Sequence, residues 1–298
     1  MTDLGAGSVS ACLVVRNEEA VIERCLQSLE GVVEEVVLVH DGECEDRTLE
    51  IAERYRCRIF VRPLVGHAEV ATVFAYEQAR GEWILSLDAD EFLSEKLRGE
   101  MRRLVADGET NGYEVLWRMW DGERYITDDG PFKLSLFRRA RVHVLGMIHA
   151  VEQVDPPVRR VMLQLEHRPV YNNYALGTTL TKQRRWAKIN ALEFIGDPRA
   201  IPSFNWDGPV SWPLRRRVLN RLSPLLFLPY LPAMFILGLL RGRSHSQLPQ
   251  RARMAFAQAA YASLVQFYVA RYLYLGVTEE VAQAARLPPR PTGRAEGG

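Results

Sequence analysis

Lysine is close to missing from this chain: only Lys96, Lys133, Lys182 and Lys188 stand among its 38 basic residues. Arginine dominance of that kind tracks genome composition as readily as function, so it excludes nothing. Cysteine is also scarce, and its distribution says more. Cys12, Cys25, Cys44 and Cys57 all fall in the first fifth of the 298 residues, without the paired short spacing that zinc sites use. They read as buried thiols in a reducing compartment. No apolar leader follows Met1, because the first ten residues include Asp3 and run straight into a strand, which points to the cytoplasm. There is no internal repeat, and net charge is almost absent at +1. That near-neutrality hides a division. Residues 1–110 carry 23 acidic and 12 basic side chains, whereas residues 111–298 carry 14 and 26, so the two parts face different partners.

What is present is enough apolar residue, 47%, to bury a substantial core in one large domain with an appendage or in two domains. Strand and helix alternate over the first hundred residues. Residues 9–15 read as a buried strand, 18–29 as a helix with Val21, Ile22, Cys25, Leu26 and Leu29 at helical spacing, and 36–39 as a strand. A helix capped by Asp46 is predicted over 46–55, strands over 58–61 and 83–87 on either side of a helix over 68–79, and a further helix over 94–105. Such alternation implies an α/β fold: a Rossmann-like, mainly parallel sheet with helices on both faces, binding ligands beyond the carboxyl ends of its strands. Three loops lie at such ends, over 16–19, 41–46 and 88–91. Topology brings them towards one crevice.

The last of these loops is the most informative. Trp83-Ile84-Leu85-Ser86-Leu87 runs into Asp88-Ala89-Asp90-Glu91, three acids within four positions. Carboxylates this close repel unless a cation or a proton relieves them, and hard cations such as Mg2+ or Mn2+ prefer oxygen ligands. A metal held there could hold phosphate. The alternative is a solvated acidic turn, since Asp is common wherever a chain leaves a sheet.

Beyond residue 105 the pattern changes to short strands over 113–118, 133–137 and 158–165, then a helix over 174–194. Within that helix, Lys182-Gln183-Arg184-Arg185-Trp186 reads as an ordinary basic face. Residues 222–240 form nineteen positions without a charge. Pro224, Pro229 and Pro232 interrupt them and arginines flank both ends, which suits a shallow dip or hairpin at the cytoplasmic face better than a crossing. The next apolar stretch, 254–275, has Arg271 as its single charge and is rich in tyrosine and phenylalanine. Contact with an anionic membrane surface and burial against the rest of the protein both fit it. Nucleic acid is not expected as a partner, because the basic excess sits beside apolar segments instead of among exposed stacking aromatics. The tail over 287–298 reads as disordered.

Val14-Val15-Arg16-Asn17-Glu18-Glu19, Val39-His40-Asp41 through Asp46-Arg47-Thr48, and residues 81–91 together resemble the family-2 glycosyltransferases. Leu134-Ser135-Leu136-Phe137-Arg138-Arg139, Ile148-His149 and Leu165-Glu166-His167 are similar, in order and rough spacing, to the branch acting on lipopolysaccharide core and related glycans. The resemblance implies a GT-A domain, taken as 1–200, and the apolar, arginine-rich composition that follows reads as a helical membrane-associated region over 201–286. It implies inverting transfer of a sugar from a nucleotide-diphospho-sugar, with a UDP-sugar as the expected donor, to a glycan or lipid-linked acceptor. It also implies donor contacts from Val15, Arg16, Glu18, Asp41 and Asp88, with Asp41 at the base or ribose and Asp88 at the ribose. Asp90 would hold Mg2+ or Mn2+, and His149 would complete the metal shell, orient the diphosphate or sit in the core.

Inversion needs a base for the acceptor hydroxyl. In the resembling branch the histidine matched by His149 is usually followed by glutamate, where this chain has Ala150. Glu152 and Asp129 are therefore the base candidates, with Asp128 a rival and His149 a further catalytic candidate. Asp46 is expected to cap a helix and His167 to be structural. Gly42 stands where the family often has a second acid or a serine. Two alternatives remain open: transfer to polyprenyl phosphate, and a non-catalytic sugar-nucleotide-binding scaffold.

Overall fold

The computed structural model describes residues 4–170, 176–207, 214–241 and 248–276. The predicted tail over 287–298 and the predicted helix start at residue 174 lie outside the described residues. The chain builds β1 (Val9–Val15), α1 (Ile22–Leu29), β2 (Glu35–Asp41), α2 (Thr48–Arg54), β3 (Arg58–Arg62), α3 (Ala68–Gln78), β4 (Trp83–Leu87), β5 (Glu91–Leu93) and α4 (Glu95–Val105). It continues with β6 (Gly112–Trp117), β7 (Phe132–Arg138), β8 (Val142–Leu145), β9 (Gln153–Val154), β10 (Val158–His167), α5 (Leu176–Ile195), β11 (Ser203–Phe204), α6 (Leu214–Arg241) and α7 (Leu248–Leu275).

Eight strands form one sheet in the order β3-β2-β1-β4-β7-β6-β10-β5, and β11, β8 and β9 form a small second one. β3, β2, β1 and β4 are mutually parallel, as are β6 and β10, while β7 and β5 run antiparallel to their neighbours. The period of two along the strands explains the layers. Val9, Ala11, Leu13 and Val15 enter a core shared with α1, α2 and α4, whereas Cys12, Val37, Val39 and Ile84 enter another beneath α3. Each fully buried Val, Leu or Ile contributes about 1.5–3 kcal/mol, which is why this half of the sheet is fixed on both faces.

Only three residues separate the end of β4 from the start of β5, yet β5 lies at the far end of the strand order. Four strand spacings across a flat sheet come to about 19 Å. The link from Leu87 to Glu91 reaches at most about 14 Å. The sheet therefore curls, returning the carboxyl end of β10 to the carboxyl end of β4.

Two sequence expectations are corrected. The first helix starts at Ile22 instead of residue 18, because the Glu18 and Glu19 amides donate to Thr48 Oγ1 (2.7 Å) and Asp46 Oδ2 (3.1 Å) in the neighbouring loop. Residues 222–240 form no hairpin of their own, since they are the interior of the continuous helix α6, with all three prolines inside it. Its partner is α7, which runs antiparallel: Gly238 faces Ala255, while the Tyr274 hydroxyl donates to the Arg221 carbonyl at 3.3 Å. A Cβ at Gly238 would lie 2.9 Å from that of Ala255, so glycine is what permits the close approach. α7 in turn packs on α5, with Val265, Val269 and Tyr272 against Ala187 and Ala191. Among the described residues, no helix is long and apolar enough to cross a membrane.

Candidate active site

Because β1, β2 and β4 are adjacent and parallel, their carboxyl-end loops meet, as the alternation predicted. Asn17, with φ of +53°, donates its amide to Nε2 of the buried His40 at 3.3 Å, and His40 Nδ1 lies 2.9 Å from the Gly42 carbonyl. The ring thus accepts at Nε2 and donates at Nδ1, a neutral spacer between the first two loops. Asp46 is not the cap expected of it, since Arg47 is the N-cap of α2; its Oδ1 accepts from the Thr48 amide at 2.9 Å and so closes the turn just before the helix. Asp41 is buried, and its two carboxylate oxygens accept from the Val65 (2.8 Å) and Gly66 (3.0 Å) amides. Gly42 has φ of +96°, and a Cβ there would lie 3.3 Å from that of Leu64. That backbone explains why glycine replaces the acid or serine often found at this position.

At the end of β4 the three acids have three different fates. Glu91 is fully buried: Lys133 Nζ donates to both of its oxygens at 2.7 Å, Trp117 Nε1 donates at 2.6 Å, and the Asp88 amide at 2.8 Å. It is an internal anchor. Asp88 shares the same lysine at 3.1 Å but stays 61% exposed, so its other oxygen faces the crevice. The Lys133 ammonium outweighs burial and lowers the Asp88 pKa. Burial disfavours the Lys133 charge, but the Asp88 and Glu91 carboxylates overcome it and raise the lysine's pKa. Asp90 is 23% exposed and approaches His167 Nε2 at 3.4 Å, with that ring stacked on Trp117 at 4.3 Å. His167 is structural, as expected, but what it positions is the Asp90 carboxylate.

Glu18 faces this group across the crevice. Burial, reinforced by the charges of Asp90, Asp88 and Asp46, pushes its pKa up to about 7, with Lys182 opposing. No group of three or more His, Cys, Asp and Glu side chains among the described residues is arranged to hold a metal alone. The donors nevertheless fit a hard divalent cation. They are carboxylate oxygens, Asp90 is partly open, and the crowding that raises Glu18 is what a cation would relieve. A shell built on one or two carboxylates is completed by a ligand's phosphate oxygens.

His149 stands elsewhere on the rim. Its φ of +59° lies in the left-handed region, and its amide donates to Glu69 Oε1 at 2.7 Å. The buried His67 bridges Glu69 (2.9 Å) and Glu193 (3.7 Å), and Glu193 accepts from the Ile148 amide at 2.9 Å. Burial lowers the His149 pKa, and its ring meets Trp186 and Tyr261 edge-on at 5.0 and 5.1 Å. These contacts do not bring it together with Asp90.

The same region corrects the reading of 182–186 as an ordinary basic face. Trp186 supports His149, Arg185 donates to the Gly66 carbonyl at 2.8 Å beside the Asp41 clamp, and the Lys182 charge reaches Glu18. Sequence carried no signal for this, because the contacts join residues 37 (Trp186 and His149), 119 (Arg185 and Gly66) and 164 (Lys182 and Glu18) positions apart.

The remaining predicted residues are placed as follows. The Val15 side chain is in the core, and Arg16 is exposed. The Tyr76 hydroxyl lies 2.9 Å from Glu152 Oε1 and 2.8 Å from Ser86 Oγ, two residues before Asp88. Asp129 and Asp128 are exposed, and Asp128 pairs with Arg118 at 3.3 Å.

Residues 10–149 match the family model described as "Glycosyl transferase family 2". An uncharacterized glycosyltransferase of Rickettsia bellii is 34% identical over 113 residues, covering 38% of this chain and 38% of that protein. The lipopolysaccharide core biosynthesis glycosyltransferase LpsC of Rhizobium meliloti is 34% identical over 116 residues, 37% of this chain and 42% of that one. These relatives are thus matched over well under half their own length. Among solved structures, S. aureus TarS 1-349 in complex with UDP aligns over 87% of this chain and 91% of its own, with a TM-score of 0.43 and 13% identity.

Proposed function

We propose that the chain is a family-2 glycosyltransferase, matched to that family over residues 10–149, and that it carries out metal-assisted, inverting sugar transfer from a nucleotide-diphospho-sugar. The acceptor is a glycan or a lipid-linked glycan at the inner face of the cell membrane. The observation that carries this reading is the convergence of Glu18, Asp46, Asp88 and Asp90 from three loops at one sheet edge, where burial first and the neighbouring carboxylates second push the Glu18 pKa up to about 7. Such an excess of carboxylate suits a cation and diphosphate together.

In this reading Asp88, held by Lys133, accepts from the donor's ribose, and Asp41 lies against the base. Asp90, steadied by His167, would hold Mg2+ or Mn2+, and the chemistry such a cation would supply there is neutralisation of charge on the departing diphosphate. The bond from the anomeric carbon to the diphosphate breaks as the acceptor oxygen forms the new one from the opposite face, and the hydroxyl proton passes to a base. We assign that role to Glu152, which Tyr76 fixes beside the strand carrying Asp88, over the exposed Asp129. Lys182 and Arg185 border the donor side. An exposed apolar face on α6, with Val218, Leu222, Leu225 and Ile236 each more than 40% exposed, supports peripheral membrane contact. The name of the Rhizobium relative, a core lipopolysaccharide enzyme, supports the acceptor class.

The test is a screen of nucleotide sugars, UDP-sugars first, for Mn2+-dependent release of nucleoside diphosphate. Asp90→Asn should lower turnover at least about 100-fold and lose the Mn2+-dependent part of a UDP-induced melting shift. Glu152→Gln should keep that shift while losing turnover. No turnover or shift with any donor would leave the non-catalytic scaffold standing, and loss confined to Asp129→Asn would move the base there.

A further inference from the structure

We propose that the groove between the first turns of α6 and the last turns of α7 binds the anionic headgroup of a membrane phospholipid. The site deepens the membrane reading above and rests on it. The open groove has a volume of about 720 Å3 and is lined by Arg221, Leu225, Phe267, Arg271, Tyr274 and Leu275. Its walls are apolar and open, with Leu225 75%, Tyr274 63% and Leu275 82% exposed. An apolar trough with two guanidinium groups fits one molecule that is itself half hydrocarbon and half phosphate.

Charge complementarity commits the site to an anion. Between Asp207 and Glu279 the sequence has nine arginines and no acidic residue. Neither guanidinium of the groove is therefore answered by an acid from α6 or α7. Apolar residues of the same helix, Val218, Leu222 and Leu228, are exposed as Leu225 is, which gives a bilayer a surface to accept as well as a headgroup to place. A soluble phosphate would use the arginines and leave the apolar walls in water.

The placement sets a distance. Tyr261, whose ring meets His149, and Arg271 are ten residues apart on α7, about 15 Å along the axis. A headgroup at Arg271 would lie roughly that far along the helix from the His149 contact.

The experiment uses the full chain and phosphatidylcholine vesicles with and without phosphatidylglycerol. Wild type should float with the anionic vesicles. R221Q/R271Q should bind them about 30-fold more weakly, since each arginine near an anionic surface contributes about a factor of five. R103Q/R199Q, which removes two exposed arginines elsewhere, should bind like wild type. Leu225→Asp tests the apolar wall without a core change and should also bind weakly. Unaltered UDP and Mn2+ melting shifts will show that the variants are folded. If wild type does not float, the membrane reading falls and the groove with it. If wild type floats and R221Q/R271Q floats equally, the groove alone is overturned. Displacement of wild type by soluble glycerol phosphate would likewise overturn the phospholipid assignment.

Discussion

At the carboxyl edge of β1, β2 and β4, acidic side chains crowd one crevice, whereas α6 and α7 carry arginines with no acid anywhere in their sequences. The two regions treat surplus charge differently. In the crevice the surplus is partly answered from within: Lys133 neutralises Glu91 and steadies Asp88, and His167 leans on Asp90, which leaves Glu18 to bear the strain. Along α6 and α7 no acidic side chain of either helix is there to answer the arginines. The contrast shows what a folded chain retains for others. An answered charge positions a neighbour, and an unanswered one marks where a partner of opposite sign belongs.

Removing the internal answer should give the largest effect. Lys133→Met leaves Glu91 buried without its cation and should cost about 3 kcal/mol in urea unfolding, recovered in part by adding Glu91→Gln. A full-sized loss that Glu91→Gln does not recover would mean the lysine matters for packing alone. Next comes the helix pair. Gly238→Val drives a branched side chain into Ala255 and should destabilise α6 and α7 by about 2 kcal/mol, visible as faster amide exchange in α7. The UDP and Mn2+ melting shift should be unchanged, which would separate the two regions energetically.

Glu18→Gln should give the smallest effect and the most specific. The folded pKa of Glu18 lies above its unfolded value, so its contribution to stability is full below about pH 4.5 and is lost as pH rises through about 7. Glutamine does not titrate. The variant should therefore melt a few degrees above wild type at about pH 8 and level with it at about pH 4.5. Mn2+ with UDP should narrow the difference at the higher pH, since a bound cation relieves the same repulsion. A variant less stable than wild type at high pH would refute the account of crowding.

Much of this was legible in order of locality. β1 and β4 occupy the residues predicted for them because each is a buried run bounded by turn formers, and alternation with helices dictated the parallel sheet and the meeting of three loops. The acidic strand end was legible as a site. What each acid does was not, because Lys133 and Trp117, which anchor Glu91, come from strands 42 and 26 positions away. The same reason hid the role of Trp186 and Arg185, and it explains why α1 begins late: its first amides are taken by side chains of the next loop. Periodicity reports what a segment buries, not which distant group competes for its hydrogen bonds. α6 was misread for a related reason, since its prolines argue against a helix locally while packing on α7 through Gly238 sustains one.

The short step from β4 to β5 has a consequence for how this chain can vary. Leu87 is registered against Leu13 of β1, Glu91 against His167 of β10, and the Arg168 amide donates to the Asp90 carbonyl at 2.9 Å. The turn is stitched on both sides of a curled sheet and closed on itself by the Glu91 amide donating to the Asp88 carbonyl at 3.0 Å. Exchanging a side chain there changes chemistry and leaves the seam intact. Adding or deleting one residue would have to slip a strand, turning His167 and its neighbours to the opposite face. The acidic turn is thus fixed in count before it is fixed in composition.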